Sequence, residues 1–213
     1  MIWIMRKLAF YFDSTACSGC KTCQVACRDK HDLGKGMLWR RIYEIAGGDW
    51  RREGQAWVPD IYSYYISMSC NHCLKPACLS SCPNKAIYRN DDGLVLIDEK
   101  RCMGCRYCEW TCPYGALFYD GEKGVMTKCT MCADYIKDGK PPACVSACPM
   151  RVLDAGELYE VRSMLPAPPD MFPLPDPGIT NPALVVKPHR DAARAKRDKP
   201  KINNREEVKH GKQ

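Results

Sequence analysis

The sequence predicts an α+β fold in which short strands and helices hang on cysteine loops rather than layering around one large sheet. Three observations carry that prediction. Sixteen of the 213 residues are cysteine, close to the level that marks a cysteine framework. They fall in four groups of four with none left over. No apolar run approaches the roughly 18 to 20 residues that a membrane-spanning helix needs, so no transmembrane segment is expected. Collagen-like, mucin-like and wholly disordered classes are excluded as well, because no fixed repeat or polar tract dominates and apolar content is ordinary.

Taken in order, Lys7 to Phe12 alternates and reads as a β-strand that delivers the chain to the first cysteine. Arg6-Lys7, a short apolar stretch and then Asp13, with no A-x-A-like site, do not make a legible secretory signal. Export would have to be carried by another chain. The first group is Cys17, Cys20, Cys23 and Cys27, spaced C-x2-C-x2-C-x3-C. An aromatic segment follows, with Trp39, Trp50, Trp57, Tyr43, Tyr62, Tyr64 and Tyr65. Within it Ile61 to Met68 reads as a strand leading into Cys70, and Gly47-Gly48-Asp49 as a turn. These aromatics suit either a small core, the favoured reading, or a surface for a partner.

The second group is Cys70, Cys73, Cys78 and Cys82, spaced C-x2-C-x4-C-x3-C. The third, Cys102, Cys105, Cys108 and Cys112, repeats the spacing of the first. The fourth is Cys129, Cys132, Cys144 and Cys148, spaced C-x2-C-x11-C-x3-C. Proline follows the last cysteine of the second, third and fourth groups, at Pro83, Pro113 and Pro149.

Disulfides suit small secreted domains, but a fourfold C-x2-C grammar is not what such a framework needs. A four-thiolate zinc site usually joins two C-x2-C pairs across a longer loop, and only the fourth group approaches that. Iron–sulfur clusters match the spacing directly. Three thiolates at x2 spacing wrap a cubane on a tight loop, and the fourth, followed by proline, starts a helix and ligates the neighbouring cluster. Residues 102–113 match the bacterial two-cluster ferredoxin run in full. Gly19 and Gly104 suit loops whose backbone passes close to a cluster at positive φ.

Four [4Fe–4S] clusters are therefore expected. Exchange of fourth ligands gives Cys17, Cys20, Cys23 and Cys148 to cluster 1, and Cys129, Cys132, Cys144 and Cys27 to cluster 2. It gives Cys70, Cys73, Cys78 and Cys112 to cluster 3, and Cys102, Cys105, Cys108 and Cys82 to cluster 4. Spacing alone leaves the outer exchange open. The implied organisation is two ferredoxin-like modules, one inserted in the other, with an extended C-terminal arm. The split outer module takes 1–30 and 121–165, the aromatic β insertion 31–68, the inner module 69–120, and the proline-rich arm and basic tail 166–213.

Eight of the sixteen prolines lie between Pro166 and Pro188, which excludes helix interior or central strand there. Ile179, Ala183, Leu184, Val185 and Val186 favour an arm laid over another subunit. The net charge of +7 is concentrated: Lys187 to Gln213 carries +6 and the body +1. A basic tail can meet nucleic acid or anionic lipid, but a solvated, mobile end is favoured. His72 reads as solvated or bonded to backbone rather than as a donor to the cluster. Lys21 and Arg106, between cluster ligands, would raise a reduction potential or simply sit solvated. No substrate pocket, phosphate loop or catalytic constellation stands out.

The cysteine order and the residues around it resemble the iron–sulfur electron-transfer subunits of membrane-associated molybdenum oxidoreductase complexes. Within them the iron–sulfur subunit of the dimethyl sulfoxide reductase type is most similar. The resemblance runs from about Leu8 to Pro188. It rests on Cys17-Ser18-Gly19-Cys20-Lys21-Thr22-Cys23, Arg40-Arg41-Ile42-Tyr43-Glu44 with Gly47-Gly48-Asp49-Trp50, and Ser69-Cys70-Asn71-His72-Cys73. Cys102-Met103-Gly104-Cys105-Arg106-Tyr107-Cys108 and Met126-Thr127-Lys128-Cys129 extend it. Nitrate-reductase-like members carry tryptophan where this chain has Cys105, so the resemblance implies four [4Fe–4S] clusters here rather than three and a [3Fe–4S].

The resemblance also implies a non-catalytic wire. A quinol-oxidising integral membrane subunit would feed it, and a catalytic subunit with a molybdenum (or tungsten) bis-pterin would drain it, in an anaerobic respiratory complex. The chain would be peripheral to the bacterial or archaeal cytoplasmic membrane, on the periplasmic face through co-export with the catalytic subunit. Polysulfide, tetrathionate, arsenate or selenate reductases use the same wire. So does formate dehydrogenase, although those chains add a C-terminal membrane helix. From other classes, a zinc-ribbon nucleic-acid-binding protein and a free-standing polyferredoxin stand as rivals. No nucleic-acid partner is expected.

Overall fold

The computed structural model describes residues 7–165, 170–198 and 200–208. Residues 1–6 at the head of the expected outer module, Pro166, Pro168 and Pro169 of the expected arm, and 209–213 of the tail lie outside the described residues. As the alternation predicts, β1 (Leu8–Asp13) leads into the first cysteine loop. It is the centre of a three-stranded sheet, antiparallel to β8 (Leu153–Glu157) and parallel to β9 (Leu184–Lys187), which flank it. Both faces of β1 are covered. Phe10 and Phe12 enter the main core, while Ala9 packs with Leu158 and Ala183 beneath α6 (Leu158–Met164).

That parallel pairing corrects the expected arm. Ala183, Leu184, Val185 and Val186 are buried in the chain's own sheet instead of meeting another subunit. A short 3₁₀ turn (Pro177–Ile179) precedes them. The strap then crosses the second cysteine loop: the Leu74 and Lys75 N–H groups donate to the Asn181 and Thr180 carbonyls at 2.7 and 2.9 Å. A parallel partner far along the chain leaves no local signal, and proline here simply marks the absence of ladder bonds before β9 begins.

The aromatic segment is one long antiparallel ribbon, β2 (Arg41–Glu53) with β3 (Ala56–Met68). Its base is core, with Ile42, Ile45, Tyr62, Tyr64 and Ile66 buried; Trp50, Trp57 and Ile61, farther out, are exposed. The turn lies at Gly54-Gln55, between the paired Glu53 and Ala56. Gly47-Gly48-Asp49, expected as a turn, runs inside β2. The glycines answer a packing need: a Cβ on Gly47 would stand 2.5 Å from Tyr62 Oη, and one on Gly48 2.0 Å from the Asp60 carbonyl oxygen.

Inner loops carry two small hairpins, β4 (Ile87–Arg89) with β5 (Val95–Ile97) and β6 (Leu117–Asp120) with β7 (Val125–Lys128). They enclose a second small core of Ile87, Val95, Leu117 and Met126, completed by Cys78 and Cys108. The tail, expected to be mobile, folds back as α7 (Ala192–Asp198), β10 (Lys201–Ile202) and α8 (Arg205–Val208). β10 pairs with β2, and the Asn204 side chain brackets that strand, donating to the Ile42 carbonyl (2.7 Å) and accepting from the Glu44 N–H (3.0 Å).

Candidate iron–sulfur site

All four cysteine loops use one backbone solution. The residue just before the second cysteine is left-handed in each: Gly19 at φ 69°, His72 at 42°, Gly104 at 68° and Met131 at 57°. Two of the four are glycine because nothing larger fits. A Cβ on Gly19 would lie 2.4 Å from the Tyr65 ring, and one on Gly104 2.4 Å from the Gly124 carbonyl oxygen. His72 and Met131 hold the same conformation with fully buried side chains, a place where packing overrides the backbone preference.

Helices do not start at the fourth cysteine, as the spacing suggests, but precede it. α2 (Ala77–Ser80), α3 (Tyr107–Thr111) and α5 (Ala143–Ser146) each contain the third cysteine and stop just before the fourth. α1 (Thr22–Lys30) continues through Cys23 and Cys27, the one group without a following proline. Proline pushes the preceding residue out of the helical region, and Cys112 accordingly sits at φ −81°, ψ 111°. After Cys82, Cys112 and Cys148 the chain makes the same turn, with Lys85, Gly115 and Arg151 left-handed three residues on. That turn launches β4, β6 and β8.

Three cavities are lined by thiols from two groups each. One has Cys17, Cys20, Cys23 and Cys148, walled by Phe12, Ile42 and Leu153. Another has Cys70, Cys73, Cys78 and Cys112 under Val95, Leu117 and Thr180. The last has Cys82, Cys102, Cys105 and Cys108 under Ile87, Ile97 and Met126. Cys27 is fully enclosed, and the thiols acting on it are Cys129, Cys144 and Cys132. Pairing of β1 with β8, and contact of α1 with α5, hold the first group against the fourth. Among the described residues, no three Cys, His, Asp or Glu side chains are gathered to chelate a single ion. The sulfurs line the three cavities instead.

The sulfurs are also placed to accept hydrogen bonds. The Ala86 N–H reaches Cys82 Sγ (3.3 Å), Ala116 N–H Cys112 Sγ (3.5 Å), Met126 N–H Cys102 Sγ (3.4 Å) and Met131 N–H Cys129 Sγ (3.3 Å). Such bonds stabilise anionic sulfur and tune a bound cluster. Burial acts the other way on the free thiols, pushing Cys17 up to about 11 and Cys73, Cys78, Cys108 and Cys129 up to about 12. Cys20 alone among the shifted thiols falls, because the exposed Thr22 hydroxyl donates to it at 3.3 Å.

Lys21 and Arg106 are surface groups, not bare cations beside a cluster. Lys21 pairs with Glu207 (2.6 Å) and Glu44 (3.1 Å), and Arg106 with Glu109 (2.8 Å). His72 is buried and bonded to backbone, its Nδ1 accepting from the Val95 N–H at 3.1 Å. Burial, then Lys128 and Arg89, hold it neutral. Sequence reasoning missed three other groups. His31 Nε2 sits 3.4 Å from Cys132 Sγ. Arg40 and Lys128 are buried cations among the cysteines, and Lys128 Nζ donates to the Val95 and Cys129 carbonyls. A charged residue in a polar stretch carries no mark of burial, so only topology finds them.

The model of the 4Fe-4S dicluster domain matches residues 61–158. Over 189 residues the chain is 48% identical to the beta chain of the anaerobic dimethyl sulfoxide reductase of Haemophilus influenzae, covering 88% of this chain and 92% of that one. It is 46% identical over 186 residues to the corresponding chain from Escherichia coli, covering 87% and 91%. With the beta subunit of the sulfite dehydrogenase of Allochromatium vinosum it shares 33% over 181 residues, 75% and 72% of the two chains. Each is by name one chain of a reductase or dehydrogenase, and the sixteen cysteines here are consistent with four clusters. The protein belongs to the family of [4Fe–4S] electron-transfer beta subunits of the anaerobic dimethyl sulfoxide reductases.

Proposed function

We propose that this chain passes electrons, one at a time, through four [4Fe–4S] clusters. They would run from a quinol-oxidising membrane subunit to a molybdenum bis-pterin catalytic subunit that reduces dimethyl sulfoxide. The observation that carries the reading is the lining of the thiol cavities, where three cysteines of one group meet the last cysteine of another. A [4Fe–4S] cluster supplies a one-electron store; the chain supplies thiolates, burial and hydrogen bonds that set its potential.

Cluster 1 takes Cys17, Cys20, Cys23 and Cys148, and cluster 2 takes Cys129, Cys132, Cys144 and Cys27. Cluster 3 takes Cys70, Cys73, Cys78 and Cys112, and cluster 4 takes Cys102, Cys105, Cys108 and Cys82. An inner module (69–120) is then inserted in a split outer one (1–30 and 121–165), with the ribbon at 31–68 and the strap and tail at 166–213. The ends of the wire fall at clusters 1 and 4, each of which has an exposed ligand, Cys20 and Cys105. Met103, Tyr107 and Trp110, exposed beside Cys105, suit a protein contact. Among the described residues no helix is long and apolar enough to cross a membrane; attachment to the periplasmic face comes through partners.

Anaerobic isolation of the intact complex tests the reading. Addition of a menaquinol analogue should reduce the clusters, seen by paramagnetic resonance, and dimethyl sulfoxide should reoxidise them. Clusters that no quinol reduces, or that reoxidise only with another acceptor, would replace the donor or the substrate in this reading.

A further inference from the structure

Arg40 stands just before β2 and is 2% exposed. Its Nη1 donates to Ser67 Oγ at 3.0 Å and its Nη2 to Ser69 Oγ at 2.9 Å. The guanidinium lies over the Phe10 ring, 4.5 Å from its centroid. Nε is buried and without a partner, and among the described residues no carboxylate pairs with the side chain. A buried guanidinium that lacks an opposite charge is strongly unfavourable. The folded chain therefore keeps Arg40 for an anion that its own acidic residues do not provide.

The groups around it say which anion. Cys144, Cys23, Cys129 and Cys27 are the groups whose negatively charged form acts on the guanidinium. One of these, Cys23, is assigned to cluster 1 and the other three to cluster 2. Ser67 extends the link. Its Oγ accepts from Arg40 and lies 3.5 Å from Cys23 Sγ, so its own proton is free for that sulfur.

We propose that Arg40 is a positioning residue that serves as the counter-ion shared by clusters 1 and 2, its charge raising the reduction potential of both. The proposal rests on the cluster assignment above. One-electron reduction adds one negative charge to a cluster, and a desolvated cation favours that form. No cysteine assigned to cluster 4 is among those acting on Arg40, so that cluster is affected less.

Redox titration of the anaerobically isolated complex, followed by paramagnetic resonance, tests it with Arg40→Met and Arg40→Lys. In Arg40→Met with full iron, the reduced-to-oxidised ratio of clusters 1 and 2 at fixed potential should fall at least tenfold. That is a downward shift of about 59 mV for a one-electron couple. Cluster 4 should hold its potential, and Arg40→Lys should stay near wild type. Unmoved potentials in Arg40→Met, or equal shifts in both variants, overturn the proposal. Should Arg40→Met lose iron, Arg40→Gln, a second uncharged variant with a polar end, is read in the same way. Iron lost from both uncharged variants and kept in Arg40→Lys supports the counter-ion role; equal loss in Arg40→Lys overturns it. Wild-type protein lacking four clusters would instead remove the reading on which the proposal stands.

Discussion

Gly104 leaves no room for substitution. Alanine there must hold φ +68° with its Cβ 2.4 Å from the Gly124 backbone oxygen, so Gly104→Ala should cost about 1–3 kcal/mol. A lowered melting temperature of the iron-loaded protein checks this, with the loop of Cys102, Cys105 and Cys108 losing iron first; an unchanged melt contradicts it. Cys129→Ser should lose its cluster or convert it, lowering iron by about four or about one. An unchanged iron count removes Cys129 from the ligand set. Protons compete for the same sulfurs. Because burial pushes thiols such as Cys73 and Cys78 up to about 12, the free sites take up protons across the whole neutral range. Iron retention should therefore fall as pH is lowered from about 8 to about 5, and flat retention would show that protons and metal do not compete.

Among the elements, the folded tail is the part least legible beforehand. Composition reads as a solvated basic end, yet Asn204 holds β2 and the Lys21–Glu207 pair ties α8 to the first cysteine loop. Asn204→Ala removes both bonds to the β2 backbone and should destabilise the protein by about 1–3 kcal/mol. Urea unfolding of the iron-loaded variant reads that loss; no change would make the tail dispensable to the ribbon. The ribbon was half legible. Alternation marks Ile61 to Met68, but Gly47-Gly48 carries the local signature of a turn while serving close packing on Tyr62 and Asp60. Helices of four residues such as α2 and α5 are too short for any periodic signal. The parallel β1–β9 pair, some 170 residues apart in sequence, is set by tertiary contact alone.

Over the whole molecule, cysteine spacing made the candidate site legible and the surrounding charges illegible. Ligand types and intervals are local chemistry and survive in one dimension. The burial of Arg40 and Lys128, and the half-buried, paired state of Lys21 and Arg106, depend on which loops face one another. The same dependence governs stability. Cys23, Cys70, Cys129, Cys144 and Cys148 belong to the main core alongside Phe10, Phe12 and Ile66, so emptying the cavities unfastens the core itself. Stripping iron with a chelator should abolish the cooperative thermal transition seen by circular dichroism.

Iron, acid-labile sulfide and zinc per chain, measured on anaerobically isolated protein, test the central claim most directly. Four cubane clusters predict about 16 iron with matching sulfide. About four zinc with no sulfide would mean four separate four-thiolate sites, and would contradict the account.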